Sequence, residues 1–166
     1  AAARHCREAR ALDVRDGTLD DGPFPPASFG AVLMADVIEH LPDPRRALVQ
    51  VRELLEPGGL VAISTPDVSG WAARLLQVKP VEHLYYFEPT TLRALLGRAG
   101  LELLEVLPYD RYKNLTAMTH STTCGTLFQR LGPLFALSRR LLGDLPVRLP
   151  LRENLLAIAR RPEPPA

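Results

Sequence analysis

The side chains best suited to acid, base or metal chemistry fall in two short stretches. Asp36, Glu39 and His40 form an Asp-x-x-Glu-His pattern, and His83 follows further along. Two carboxylates and two imidazoles offer the oxygen and nitrogen donors of a divalent-ion site, for example for magnesium, in which the ion acts as a Lewis acid on a hydroxyl nucleophile. An imidazole can also work without a metal. With an unperturbed pKa of about 6.5 it is the side chain best matched to accepting a proton near neutral pH. His40 and His83 are therefore the candidate bases, whereas His5 and His120 stand in no comparable pattern. The alternative is structural: Asp36 and Glu39 bind backbone amides at a strand exit, His40 packs behind them and His83 holds a loop.

These residues need a scaffold, and the surrounding pattern supplies one. Residues 29–37 (FGAVLMADV) are a nearly continuous apolar run that stops at Asp36, as expected of a central parallel strand buried on both faces. Asp43 is placed to cap a helix and Pro44 to begin it, with Ala47, Leu48, Val51, Leu54 and Leu55 at helical spacing. Pro57, Gly58 and Gly59 end that helix. Residues 59–65 (GLVAIST) read as a second buried strand stopped by Pro66, so Asp36, Ser64 and Thr65 all sit at strand ends. Residues 89–98 read as a helix with Gly100 just past its end. Residues 101–108 and 154–161 read as two further strands. The stretch between them is too long for a plain loop and should hold structure of its own. Its apolar positions, Leu127, Phe128, Leu131, Leu134, Phe135, Leu141 and Leu142, interrupted by Gly132 and Pro133, predict two short amphipathic helices. These form a lid over a pocket, a cap on the sheet edge, or, with Arg130, Arg139 and Arg140, a membrane-surface contact.

Alternating strands and helices predict a parallel α/β sheet, and composition narrows the class further. With 166 residues, 46% of them hydrophobic, the chain can bury one core. A formal net charge of +1 with dispersed basic residues gives no electrostatic footprint for nucleic acid or anionic lipid. Cys6 and Cys124 have neither disulfide-framework nor metal-type spacing, which suits a reducing, cytoplasmic setting. No apolar run approaches the ~20 residues of a membrane span, and no signal peptide is recognisable. All but two of the 20 basic residues are arginine, the exceptions being Lys79 and Lys113, a bias that suits a GC-rich bacterial genome.

The string PFPPASFGAVLMADVIEHLPDPRRALVQVRELLEPGGLVAISTPDV resembles the fourth to fifth strands of class I, S-adenosylmethionine-dependent methyltransferases, above all the ubiquinone-biosynthesis O-methyltransferases. EHLPDP, LLEPGG and STP fall at that family's spacing. The later HLYYFEPTTLRALLGRAGLELLEV resembles a block of small-molecule and glycan-associated methyltransferases. The resemblance runs from residue 1 to about residue 110 and resumes near residue 155. It implies a Rossmann-like sheet whose last strand is antiparallel, with cofactor and substrate above the carboxyl ends of the strands, where connections diverge to opposite faces. It places Thr18 and Leu19 beside the adenine of S-adenosylmethionine and Ala35 and Asp36 beside its methionine part. Asp-x-x-Glu-His resembles the Glu-x-x-Glu-His of the ubiquinone enzymes and of small-RNA 2′-O-methyltransferases, some of which hold a divalent metal. On that basis Asp36, Glu39, His40 and His83 form the implied metal set.

The family's glycine-rich turn after the first strand, where only glycine lets backbone amides approach the ligand, has no counterpart here. None of the eleven glycines stands in a Gly-x-Gly arrangement. The expectation is an incomplete class I fold: a partial domain over residues 1–162, a helical lid insertion at about 112–150 before the last antiparallel strand, and a disordered tail at 163–166. Weak or absent cofactor binding by this fragment follows, as does an exposed sheet edge prone to homodimerisation or aggregation. The implied function is S-adenosylmethionine-dependent O-methylation of a small hydroxyl-bearing acceptor: a quinone precursor, a sugar or a secondary metabolite. A non-catalytic remnant or interaction module, and an RNA 2′-O-methyltransferase, are the alternatives. The first is favoured by the missing front half, and the second is opposed by the lack of a basic stripe.

Overall fold

The computed structural model describes residues 2–22, 24–70, 82–109, 112–114, 146–148 and 154–164, together with positions 133, 134, 137 and 140. Helix α1 (Ala2–Arg10) opens the chain, and a single 3-10 turn (Leu19–Asp21) follows. Strand β1 (Phe29–Ala35) leads through a second 3-10 turn (Ile38–His40) into helix α2 (Pro44–Leu54) and strand β2 (Leu55–Pro66). Helix α3 (Pro89–Arg98), strand β3 (Glu102–Tyr109), the short strands β4 (Tyr112–Asn114) and β5 (Pro146–Arg148), and strand β6 (Asn154–Arg160) complete the order. β1, β2, β6 and β3 form one four-stranded sheet in that spatial order. β1 and β2 are parallel, while β6 runs antiparallel to both of its neighbours, β2 and β3. The expected antiparallel closing strand is therefore present.

Local sequence chemistry accounts for the joints. The Asp43 carboxylate accepts the Arg46 amide at 2.9 Å, capping α2 with Pro44 in its first turn. The strand after α2 begins at Leu55, earlier than the Gly59 that sequence pattern gives, because Leu55 already pairs with Phe29 of β1. At Gly59 a Cβ would lie 2.9 Å from the Glu56 carbonyl oxygen and 3.2 Å from that of Gly30, so only glycine fits the close approach of β1 and β2. Arg161, just past β6, donates from its guanidinium to the carbonyls of Arg52 and Leu55, fastening the closing strand to the C-terminal end of α2.

The core lies on one face of the sheet. Met34, Val61, Ile63, Leu155, Ala157 and Ala159 meet Leu48 and Val51 of α2 and Leu92 and Leu96 of α3 in one buried cluster. The opposite face alternates with it, as the two-residue period of a strand requires. There Leu33 of β1 is 70% exposed, beside its register partner Ala62. β1 is thus an edge strand of the described sheet with one covered face, and not the central, doubly buried strand that its apolar run predicts. An apolar run records only that a strand can be buried on both faces; it does not specify what covers it. Across that open face Arg160 and Glu102 pair at 2.8 Å, and Glu102 holds the guanidinium above its usual pKa. Solvent screens so exposed a pair, and it adds little to stability.

In the insertion, β4 pairs antiparallel with β5, so its two ends are brought together in a small ribbon. Of the apolar positions assigned to the lid, Leu134 is described, helical and 61% exposed. Leu127, Phe128, Leu131, Phe135, Leu141 and Leu142 lie outside the described residues, as do Trp71 and Arg74. Among the described residues no helix is long and apolar enough to cross a membrane.

Candidate functional site

The carboxyl ends of β1 and β2 meet at the candidate site. Asp36, the first residue beyond β1, has φ of +52°, a left-handed conformation that a non-glycine residue adopts at a cost of roughly 1–2 kcal/mol. Two bonds to one residue of β2 hold it there. Its amide donates to the Ser64 carbonyl at 3.0 Å, and its carboxylate accepts the Ser64 hydroxyl at 3.2 Å. This turn of the backbone starts the 3-10 segment, in which Ile38 is buried in the core and anchors Glu39 and His40.

Glu39 is 1% exposed. Its Oε2 accepts the hydroxyl of the fully buried Thr65 at 3.0 Å, and among the described residues its Oε1 has no hydrogen-bond partner. Its carbonyl oxygen accepts the amides of Leu84 at 2.9 Å and Tyr85 at 3.1 Å. His40, exposed, directs Nδ1 at the Glu82 carbonyl at 2.6 Å, and the Tyr85 hydroxyl donates to the Pro42 carbonyl at 3.0 Å. These bonds join the turn at 38–42 to the segment at 82–85 and bring buried His83 against His40, edge to face, with ring centroids 4.9 Å apart. Tyr86 follows against His83 at 5.9 Å, and Phe87 is buried in the core. The aromatic residues thus pack the loop, with the half-exposed Tyr85 ring at its surface.

Ligand atoms of Glu39, His40 and His83 all lie within 4.8 Å of one another. Asp36, the fourth residue of the sequence-implied metal set, is not in this group, and its carboxylate is bonded to Ser64. A carboxylate at the first motif position therefore shapes the strand exit, while the second one joins the two imidazoles.

Thr18 and Leu19 take part in a different feature, a hollow of about 540 Å³ between the first 3-10 turn and α2. Met34, Val37, Leu41 and Ala47 give it an apolar lining, and Asp20, bonded to Arg46 and Gln50 at 2.8 Å each, gives it a polar one. Ala35 is exposed and, like Asp36, is not part of this lining, so the four cofactor positions implied by resemblance do not share one wall. The Thr18 amide and hydroxyl bind the Asp21 carboxylate at 2.6 and 3.0 Å and hold its pKa below the usual 3.8. Sequence pattern did not reveal Thr65 as the partner of Glu39, although its place in Ser-Thr-Pro at a strand end was the available signal. The contribution of the Glu82 carbonyl, a backbone group, leaves no trace in residue type.

This geometry can be set beside known proteins. A methyltransferase domain family profile matches residues 2–106. The chain belongs to that family. It is 30% identical over 121 residues to a ubiquinone biosynthesis O-methyltransferase of Xylella fastidiosa, a match that covers 65% of this chain and 49% of that protein. It is 33% identical over 97 residues to a probable S-adenosylmethionine-dependent methyltransferase of Mycolicibacterium smegmatis, covering 58% of this chain and 37% of that one. The match thus spans about half the length of the first of these relatives. Among solved structures, a putative methyltransferase from Bacillus halodurans superposes with a TM-score of 0.61 at 17% identity, covering 92% of this chain and 79% of that one. At that identity the likeness shows the fold, which is the Rossmann-like α/β fold of class I methyltransferases.

Proposed function

We propose that this chain forms the acceptor side of an S-adenosylmethionine-dependent methyltransferase that O-methylates a small hydroxyl-bearing acceptor, such as a quinone precursor, a sugar or a secondary metabolite. The observation that carries the reading is the pairing of His40 and His83 over buried Glu39, in a chain whose curated relative is a ubiquinone biosynthesis O-methyltransferase. The cofactor, when bound, supplies an electrophilic methyl carbon on a sulfonium. Thr18 and Leu19, with the apolar hollow that they line, are the residues to hold its adenine, and Ala35 and Asp36 its methionine part.

The work left to this chain is to position the acceptor hydroxyl and remove its proton. His40 is exposed and takes the proton, while His83, buried against it, sets the position of that ring. Glu39 places a carboxylate beside both rings. The same three residues fit a divalent cation: their donors are oxygen and nitrogen, and a cation would satisfy the buried Oε1. Such an ion would supply Lewis-acid activation of the hydroxyl.

The test is isothermal titration with S-adenosylhomocysteine, of this chain and of a version that carries, in addition, a glycine-rich strand-to-helix turn of a class I methyltransferase upstream. Binding by the extended form, with methylation of a catechol acceptor that falls at least about 100-fold in H40A, supports the reading. Binding by neither form overturns it and favours a non-catalytic role.

A further inference from the structure

We infer that His40 is held as its Nδ1–H tautomer by the backbone carbonyl of Glu82, so that Nε2 is the atom left to accept a proton. A carbonyl oxygen only accepts hydrogen bonds, so at 2.6 Å the facing Nδ1 must carry the hydrogen. In a neutral imidazole the other nitrogen then has the free lone pair. Free histidine prefers the opposite tautomer, so the contact with Glu82 reverses an intrinsic preference. The carbonyl itself is fixed by its neighbours: Leu84 and Tyr85 donate their amides to the Glu39 carbonyl, and the Tyr85 hydroxyl is tied to Pro42. The segment at 82–85 is therefore a positioning element for His40. It sets the tautomer and the ring orientation of His40.

The inference builds on the reading of His40 as the base, but its test does not depend on methyl transfer. Long-range proton–nitrogen correlation spectra of the 15N-histidine-labelled chain, recorded at a pH that keeps the imidazoles neutral, distinguish the tautomers directly. The chain has four histidines, and the signal lost in H40N identifies His40. The expected pattern is that of a protonated Nδ1 with an unprotonated Nε2. The Nε2–H pattern, or the averaged pattern of free histidine, overturns the inference.

A second comparison uses amides that mimic each nitrogen. Asparagine places its NH2 near the position of Nδ1 and glutamine near that of Nε2. H40N should keep the bond to Glu82, and H40Q should show a folding equilibrium constant lower than that of H40N by about five-fold, the worth of one hydrogen bond. Equal stability of the two variants counts against the inference. If the tautomer is found but H40N retains methyl transfer, the base assignment fails and the positioning by Glu82 stands.

Discussion

Replacing Thr65 by valine is the most direct probe of the buried centre. The substitution keeps the branched shape and removes the hydroxyl that donates to Glu39 Oε2 at 3.0 Å, where Thr65 is 0% and Glu39 1% exposed. Glu39 Oε1 already has no hydrogen-bond partner among the described residues, so T65V leaves neither side-chain oxygen with one of those described. A hydrogen bond to a charged group is worth about 1.5–3 kcal/mol, against which valine's better fit to a strand returns under ~1 kcal/mol. The net expected loss is about 1–2.5 kcal/mol, or about 2–10 °C in Tm for a chain of this size. Urea unfolding followed by circular dichroism should show a lower midpoint at unchanged slope, the mark of lost stability without a change in the surface exposed. The double variant E39L/T65V removes both polar partners and should lose at least ~1 kcal/mol less than the sum of the single variants, because the unpaired carboxylate is gone. A midpoint for T65V equal to the parent's, or strictly additive losses in the cycle, would refute the claim that this bond secures Glu39.

Three further outcomes follow from other parts of the structure. Gly100, past the end of α3, has φ of +75°, and a Cβ there would lie 2.6 Å from Arg52 Nη1, so G100A should lower stability by about 1–2 kcal/mol in the same unfolding assay, chiefly through the left-handed backbone. Strand β1 carries no charged residue and exposes Leu33 at 70%; L33K should weaken self-association in sedimentation velocity while changing stability by less than about 0.5 kcal/mol, and unchanged association would clear this edge of any role. The Asp21 carboxylate, stabilised first by the Thr18 amide and then by its hydroxyl, should titrate below 3.8 in carbon-13 spectra. Because its folded pKa is depressed, its contribution to the turn is present above the ordinary aspartate pKa and disappears as pH falls through the folded value. T18A should raise the midpoint only part of the way, since the larger cause, the amide, remains.

Local chemistry of the chain determined much of the scaffold. Asp43 and Pro44 mark the start of α2, Gly100 follows α3, and the apolar runs give β1, β2 and β6, because caps, glycine conformations and side-chain periodicity depend on neighbours in sequence. The Asp-x-x-Glu-His pattern likewise marked the candidate residues at a strand exit, since residue type and spacing are read directly from the chain. The tertiary structure alone decided how those residues divide their work. Glu39 is buried on Thr65 while Asp36 binds Ser64, a difference set by which side chain of β2 each one faces. His83 joins His40 only because the backbone at 82–85 bonds to the turn at 38–42, and backbone carbonyls carry no signature in residue type. The position of β1 at the sheet edge was equally hidden, because burial on a second face depends on what packs there and not on the strand itself.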